Sequence, residues 1–163
     1  TQSAVLGWTR RKFGGPLDRI EGAAQRLKTW GLSESPEEIA LRSLSIIDDA
    51  IHPAQAALCL DTSGGRRVLA VRGTENANDR RLTERLDLAD EEGSVRQLLL
   101  GRRSDGNRYN RQELEAVKQL IPHVADALRV SRSRHSRESV LQQQLEAMAH
   151  RLAQLEGSTP KPA

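Results

Sequence analysis

The chain has 163 residues, 37% of them hydrophobic and 2% aromatic, which is enough for one core with extensions and too little for two good ones. Lys and Arg total 25 against 22 Asp and Glu, a formal charge of +3, so global charge does not announce a nucleic-acid partner. A single cysteine, Cys59, excludes an internal disulfide framework, and a reducing, cytoplasmic compartment fits.

No apolar run approaches the ~20 residues that cross a bilayer, and the N-terminus lacks a signal-peptide pattern. The chain starts with Thr1 rather than Met, which suggests a piece of a longer polypeptide with fused domains on either side. Residues 1–15 combine a short apolar patch, the basic cluster Arg10, Arg11 and Lys12, and a Gly-Gly break. They read as a linker; the sharper alternative is a juxtamembrane segment at the cytoplasmic face of a membrane-anchored protein.

From Pro16, the residues Leu17, Ile20, Ala24 and Leu27 recur at helical spacing, and Gly31 is expected to stop the helix. Next, Ser35 is positioned to cap a second helix, Pro36 suits its first turn, and Glu38 completes a capping box. Ala40, Leu44, Ile47 and Ile51 form its stripe, broadened by Leu41 and Ile46, and Pro53 closes the element.

The period then changes. Residues 54–73 are two apolar runs separated by TSGG, a hairpin signal. Leu58 and Leu60 point one way and Ala57 and Cys59 the other, so both faces are apolar as in an interior strand; the run from Val68 to Val71 is expected to behave similarly. Residues 74–85 are polar and read as a loop. A second hairpin follows, with RLDLA and SVRQLLLGRR joined by a turn at DEEG.

SDGN ends the sheet, and Asn110 with Glu113 forms a capping box opening the last helix. Its stripe is Leu114, Val117, Leu120, Ile121, Val124 and Leu128, and Pro122 is expected to interrupt it. Beyond a basic, serine-rich stretch, Leu141, Leu145, Met148, Leu152 and Leu155 alternate steps of four and three, a heptad seam of about two repeats. Projected backwards, the seam passes Glu138, Arg134 and Ser131 and reaches Ala127, Val124, Leu120 and Val117. Residues 157–163 read as a disordered tail.

No catalytic set emerges, and no enzyme, metal or cofactor is expected. His52, His123, His135 and His150 show no metal spacing, and TSGG does not lead from a strand into a helix as a phosphate loop does. The acidic clusters Asp48–Asp49 and Asp90–Glu92 read as solvated surface. Arg129, Arg132, Arg134 and Arg137 only partly share a helical face and have no interleaved aromatic, so a solvated connector is favoured over a nucleic-acid or lipid grip. Cys59, between leucines, reads as a small buried hydrophobe.

The order helix, helix, hairpin, hairpin, long helix, ending in LLLGRRSDGNRYNRQELEAVKQLIPHVADAL, resembles the closing half of a GAF domain over roughly residues 35–129. The residues that carry the likeness are Leu98 to Arg103, the turn Ser104 to Asn107, Tyr109, Asn110, and Glu113 with Leu114. The resemblance implies an α+β fold: a four-stranded antiparallel GAF/PAS-like sheet with N- and C-terminal helices on one face, the last helix extending into a coiled coil. It also implies a sensory module of a bacterial signalling protein such as a sensor kinase, dimerising through flanking helices. His135, however, is followed by Ser136 where a phospho-accepting kinase histidine has an acidic residue.

Only residues 73–86 separate the two hairpins, too few to roof a large enclosed pocket of the family's kind. The second sheet face, with Ala57, Cys59 and Ala70 as ligand-pocket candidates, still needs cover: a small ligand, the 74–85 loop or a partner subunit. The expected organisation is a linker at 1–15, the domain at 16–129, a connector and coiled coil at 130–156, and the tail. The expected output is signal transmission through a homodimer whose interface includes Leu141, Leu145, Met148, Leu152 and Leu155. The alternatives are a small-molecule receptor with a compact pocket and an interaction or DNA-linked regulator using the basic connector.

Overall fold

The computed structural model describes residues 15–88 and 95–158. The expected linker before Gly15, the DEEG turn and residues 159–163 of the expected tail fall outside them. Three helices and four strands follow in the order α1 (Pro16–Ser33), α2 (Pro36–Ile51), β1 (Ala56–Thr62), β2 (Gly65–Arg72), β3 (Glu84–Leu88), β4 (Val95–Leu100) and α3 (Arg111–Ser158). This is an α+β fold with one antiparallel sheet of order β2-β1-β4-β3.

α1 buries Ile20, Ala23, Leu27 and Gly31, one face at steps of three and four. Ala23 takes the place expected for Ala24, which is half-buried. Gly31 does not stop the helix, which runs to Ser33. Its role is close approach: a Cβ there would sit 3.2 Å from the backbone Cα and O of Ala127 on α3, so a hydrogen in that place lets the two backbones nest.

α2 begins as its local chemistry requires. The Ser35 hydroxyl accepts a hydrogen bond from the Glu38 amide at 3.2 Å, with Pro36 in the first turn. The other half of the expected capping box is replaced, since the Glu38 carboxylate accepts from Arg42 at 3.3 Å. Ile39, Ala40, Leu44, Ile46, Ile47 and Ile51 are buried, whereas Leu41 is 49% exposed. His52 ends the helix with φ of 51°.

β1 is interior, between β2 and β4, and its first five residues are buried. β2, expected to behave like β1, is instead an edge strand with Val68 42% exposed. The β1–β2 register shifts between Leu58 and Cys59: Leu58 pairs with Ala70, but Cys59 pairs with Val68, which leaves Leu69 as an extra residue on β2.

α2 and α3 pack on one sheet face, and α1 packs on those two helices. Their apolar stripes enclose Ala56, Leu58, Ala70, Leu88, Leu98 and Leu100 from the strands in one core. Burial of this kind, at roughly 25 cal/mol per Å² of apolar surface, is the main stabilising term for helices of these lengths.

α3 is one helix of 48 residues, about 72 Å long at 1.5 Å per residue. It runs through Pro122 without a break in helical structure, and both Pro122 and Lys118, the residue one turn earlier, are exposed. On that face water can meet the carbonyl that lost its partner. The helix also extends two residues past the expected end at 156.

The segment between β4 and α3, which carries most of the quoted likeness, locks the ends of the helices together. The Tyr109 hydroxyl donates to the Gly101 carbonyl at 2.6 Å, and Asn110 and Glu113 exchange both capping-box bonds at 2.8 and 3.1 Å. Glu113, 4% exposed, also pairs with Arg103 at 2.6 Å. The Ser104 amide donates to the carbonyl of His52 at 2.7 Å, tying this segment to the end of α2.

Candidate functional site

Two places could carry function: the sheet face opposite the helices, and the point where α3 leaves the domain. On the first, Ala57, Cys59 and Leu99 form a small second core with Val71, Ala77 and Leu82. Ala77 and Leu82 come from the loop between β2 and β3, so the chain's own loop supplies cover for this face.

That loop is internally stapled. Thr74 Oγ1 donates to Asp79 at 2.7 Å, the Arg81 amide and guanidinium donate to the same carboxylate at 2.9 and 2.6 Å, and the Asn78 amide donates to Asn76 Oδ1 at 2.9 Å. The Arg81 side chain, then its amide, then Thr74 hold the Asp79 carboxyl well below the usual range. The loop starts at Gly73, whose φ is +70° and whose missing Cβ would run into the Ala54 carbonyl, so the turn requires glycine.

The three pocket candidates are not brought together. Ala57 and Cys59 lie under the loop, fully buried, while Ala70 belongs to the helix-side core. The bulge is the reason: pairing Ala70 with Leu58 turns it to Leu58's face, and a one-residue slip exchanges faces. Burial, followed by the charge of Asp61, raises the Cys59 thiol, and Arg66 and Arg85 oppose this. The thiol is therefore held as a neutral packing group.

At the second place, α1 and α3 run side by side until α1 ends. Ala127 lies against Gly31. One heptad step further, the Glu34 carbonyl at the C-cap of α1 accepts from both Ser131 Oγ and Arg134, the latter at 2.7 Å. Arg134 also reaches Glu138 at 3.0 Å. Arg42 joins the cluster, bonding Glu34 and Glu38 with its guanidinium 4.9 Å from the Trp30 ring centre.

From there α3 projects away from the domain. Leu141, Leu145, Met148, Leu152 and Leu155, the expected interface residues, are 59–66% exposed, and Val140 is 50% exposed. Two further arginines of the basic run make contacts within α3 itself, Arg129 with Asp126 at 2.7 Å and Arg137 with Ser133 at 3.3 Å. Among the described residues, no group of three or more His, Cys, Asp or Glu could hold a metal ion, and no helix is long and apolar enough to cross a membrane.

No protein-family model, curated protein or solved structure matches the chain.

Proposed function

We propose that this chain is a GAF-like regulatory module of a bacterial signalling protein, a sensor kinase or similar, that works in the cytoplasm as a homodimer and transmits a conformational change along α3. One observation carries the reading. The face of α3 that packs on α1 at Ala127, Ser131 and Arg134 continues at heptad spacing through Glu138 into the exposed seam Leu141, Leu145, Met148, Leu152 and Leu155. A straight helix drifts only ~20° per heptad from such a repeat, so Leu141 lies within roughly 40° of Ala127's direction.

A stripe of five large apolar side chains at this spacing is suited to a second copy of the same helix. α1 then acts as a stop. It occupies the upstream part of the face, so the two α3 helices can zip together only beyond its end, and a shift of α1 against α3 changes where the zipper begins. Two heptads alone form a marginal coiled coil. Leu32, 66% exposed near the end of α1, offers added apolar surface. The sheet with helices on one face and the locked segment from Gly101 to Glu113 support the GAF likeness.

Sedimentation of the intact chain tests the proposal: a dimer at micromolar concentration that becomes a monomer in the double variant Leu145→Asp, Leu152→Asp. A monomer at high micromolar concentration overturns it. Single cysteines at Leu141 and Leu155 fix the orientation, because like-to-like disulfides form at both sites in a parallel pair and at neither in an antiparallel one.

A further inference from the structure

We propose that the outer edge of β3 pairs antiparallel with β3 of a second copy of this chain, centred on Leu86, so that two sheets join into one. β3 lies at one end of the sheet order and β2 at the other. An edge strand presents a row of N–H and C=O groups that can template pairing with another chain. Among the described residues, no strand pairs with the outer side of β3.

The two edges differ in how open they are to a partner. β2 carries the bulge at Leu69, and its Arg66, Arg67 and Arg72 are drawn to Asp61, Glu37 and Asp48 of its own chain. A bulge bends and twists an edge away from a straight partner. β3 instead keeps unbroken register with β4 from Glu84 opposite Leu100 to Leu88 opposite Arg96. Its edge is the regular one.

The order of side chains selects the partner and the register. Leu86 and Leu88 belong to the helix side with Leu98 and Leu100, so Arg85 and Asp87 alternate to the other face, opposite Leu99 and Gln97 of β4. Both are exposed. Pairing about Leu86 sets that leucine against its own copy and Arg85 against Asp87 of the copy, twice over. The end pairs set Glu84 beside Leu88, which its own core already buries. Centring on Arg85 or on Asp87 instead opposes two arginines or two aspartates, and a centre between residues sets Leu86 beside a charge. Asp87 accepts from the Gln97 amide at 3.2 Å, a neutral donor that leaves its charge in place. Arg85 contributes to the positive field on Asp61, which Arg66 already pairs. A strand of only five residues carrying charge resists indiscriminate pairing; the order of these charges admits a second copy in one register.

So short an edge makes a small, weak interface. It adds to the α3 seam and does not replace it. If the seam forms as proposed above, each dimer carries two such edges and edge pairing links dimers to one another; that clause rests on the seam reading, and the edge itself does not.

Sedimentation equilibrium of the full chain carrying Leu145→Asp and Leu152→Asp, which disable the seam, reads the edge by itself. Self-association with a dissociation constant under about 1 mM is expected. Arg85→Asp and Asp87→Arg, each added to that chain at an exposed position, should weaken it about ten-fold or more, because each sets like charges opposite one another at both places. An equimolar mixture of these two chains should associate again, since every opposed pair then joins an aspartate to an arginine. A monomer at about 1 mM, association indifferent to both changes, or a mixture that stays monomeric overturns the proposal; the last would mark a foreign strand as the occupant. Charge-dependent association of equal strength with and without the seam substitutions supports the edge and removes the seam, so the two readings fail separately.

Discussion

The two halves of α3 have similar leucine patterns and opposite surroundings. Up to Ser131 the helix buries Ala116, Val117, Leu120, Val124, Ala127 and Leu128 against α1, α2 and the sheet; from His135 to Gly157 every residue is exposed. The first half is held by tertiary packing. The second relies on intrinsic helix preference and on pairs one turn apart, such as Arg134 with Glu138 at 3.0 Å and Gln142 with Glu146 at 3.5 Å, each worth only ~0.2–0.5 kcal/mol. Periodicity therefore reports that a stripe exists. What covers it is a separate matter, and in the projecting half we propose a second copy.

The sharpest way to break this contrast is one substitution made in both halves. Leu120→Ala, at a fully buried site, is expected to cost about 2–5 kcal/mol of folding stability. Leu145→Ala, made where the side chain is 66% exposed, should change the stability of the domain by under about 0.5 kcal/mol at concentrations where the chain is monomeric and should weaken association instead. Denaturant unfolding and sedimentation read the two effects; equal losses of folding stability would erase the distinction between the halves.

Gly31→Val attacks the junction of α1 with the packed half. Its first new atom would lie 3.2 Å from Ala127 backbone atoms that cannot swing aside, so a loss of about 1–3 kcal/mol is expected from overpacking. A neutral result in the same unfolding measurement would mean that the helices separate freely, which would leave α1 a poor stop.

Ser131→Ala removes one of two donors to the Glu34 carbonyl and should cost about 1 kcal/mol. Ser133→Ala, two residues further on and exposed, should cost less than about 0.5 kcal/mol. Thermal melts that rank the two in the opposite order would place the end of the packed half elsewhere.

An effect of similar size concerns the entrance to α3. Burial raises the Tyr109 hydroxyl from its ordinary value of 10.0 to about 12, with Glu113 and Glu84 adding to the shift and Arg103 opposing it. The unfolded chain loses this proton first. The contribution is thus complete below pH 10 and is lost as pH rises toward 12. Tyr109→Phe should flatten that alkaline decline and cost about 1 kcal/mol near neutrality through the lost bond to Gly101. An alkaline profile identical in the two proteins would exclude Tyr109 as its source.

The elements were legible where the deciding forces are local. Ser35 with Pro36 marks the start of α2, and Asn110 with Glu113 the start of α3, because a capping side chain acts on amides within three residues of it. The apolar runs between turn signals located the strands. Strand order was not legible: β1 and β2 both read as apolar on two faces, yet one is interior and the other an edge. The face of Ala70 is not legible either, because its orientation depends on pairing with Leu58 across a bulge. A groove lined by Arg67, Arg96 and Arg132 is not legible for a similar reason, since these residues come from two strands and a helix far apart in sequence. Arg96 gave a faint signal as a charged residue beside the apolar run Leu98 to Leu100.

The sequence by itself determined the helices, the two hairpins and the seam, because helical and strand periods and capping bonds act over a few residues. Tertiary structure decided which stripe is covered and which is not: α1 ends at Ser33, and Ser131 and Arg134 close on the Glu34 carbonyl at its C-cap, so the same α3 face is core on one side of that point and open surface on the other. It also decided that the loop after Gly73 lies over Ala57 and Cys59. Both outcomes depend on where chain segments far apart in sequence come to rest, which no local rule encodes.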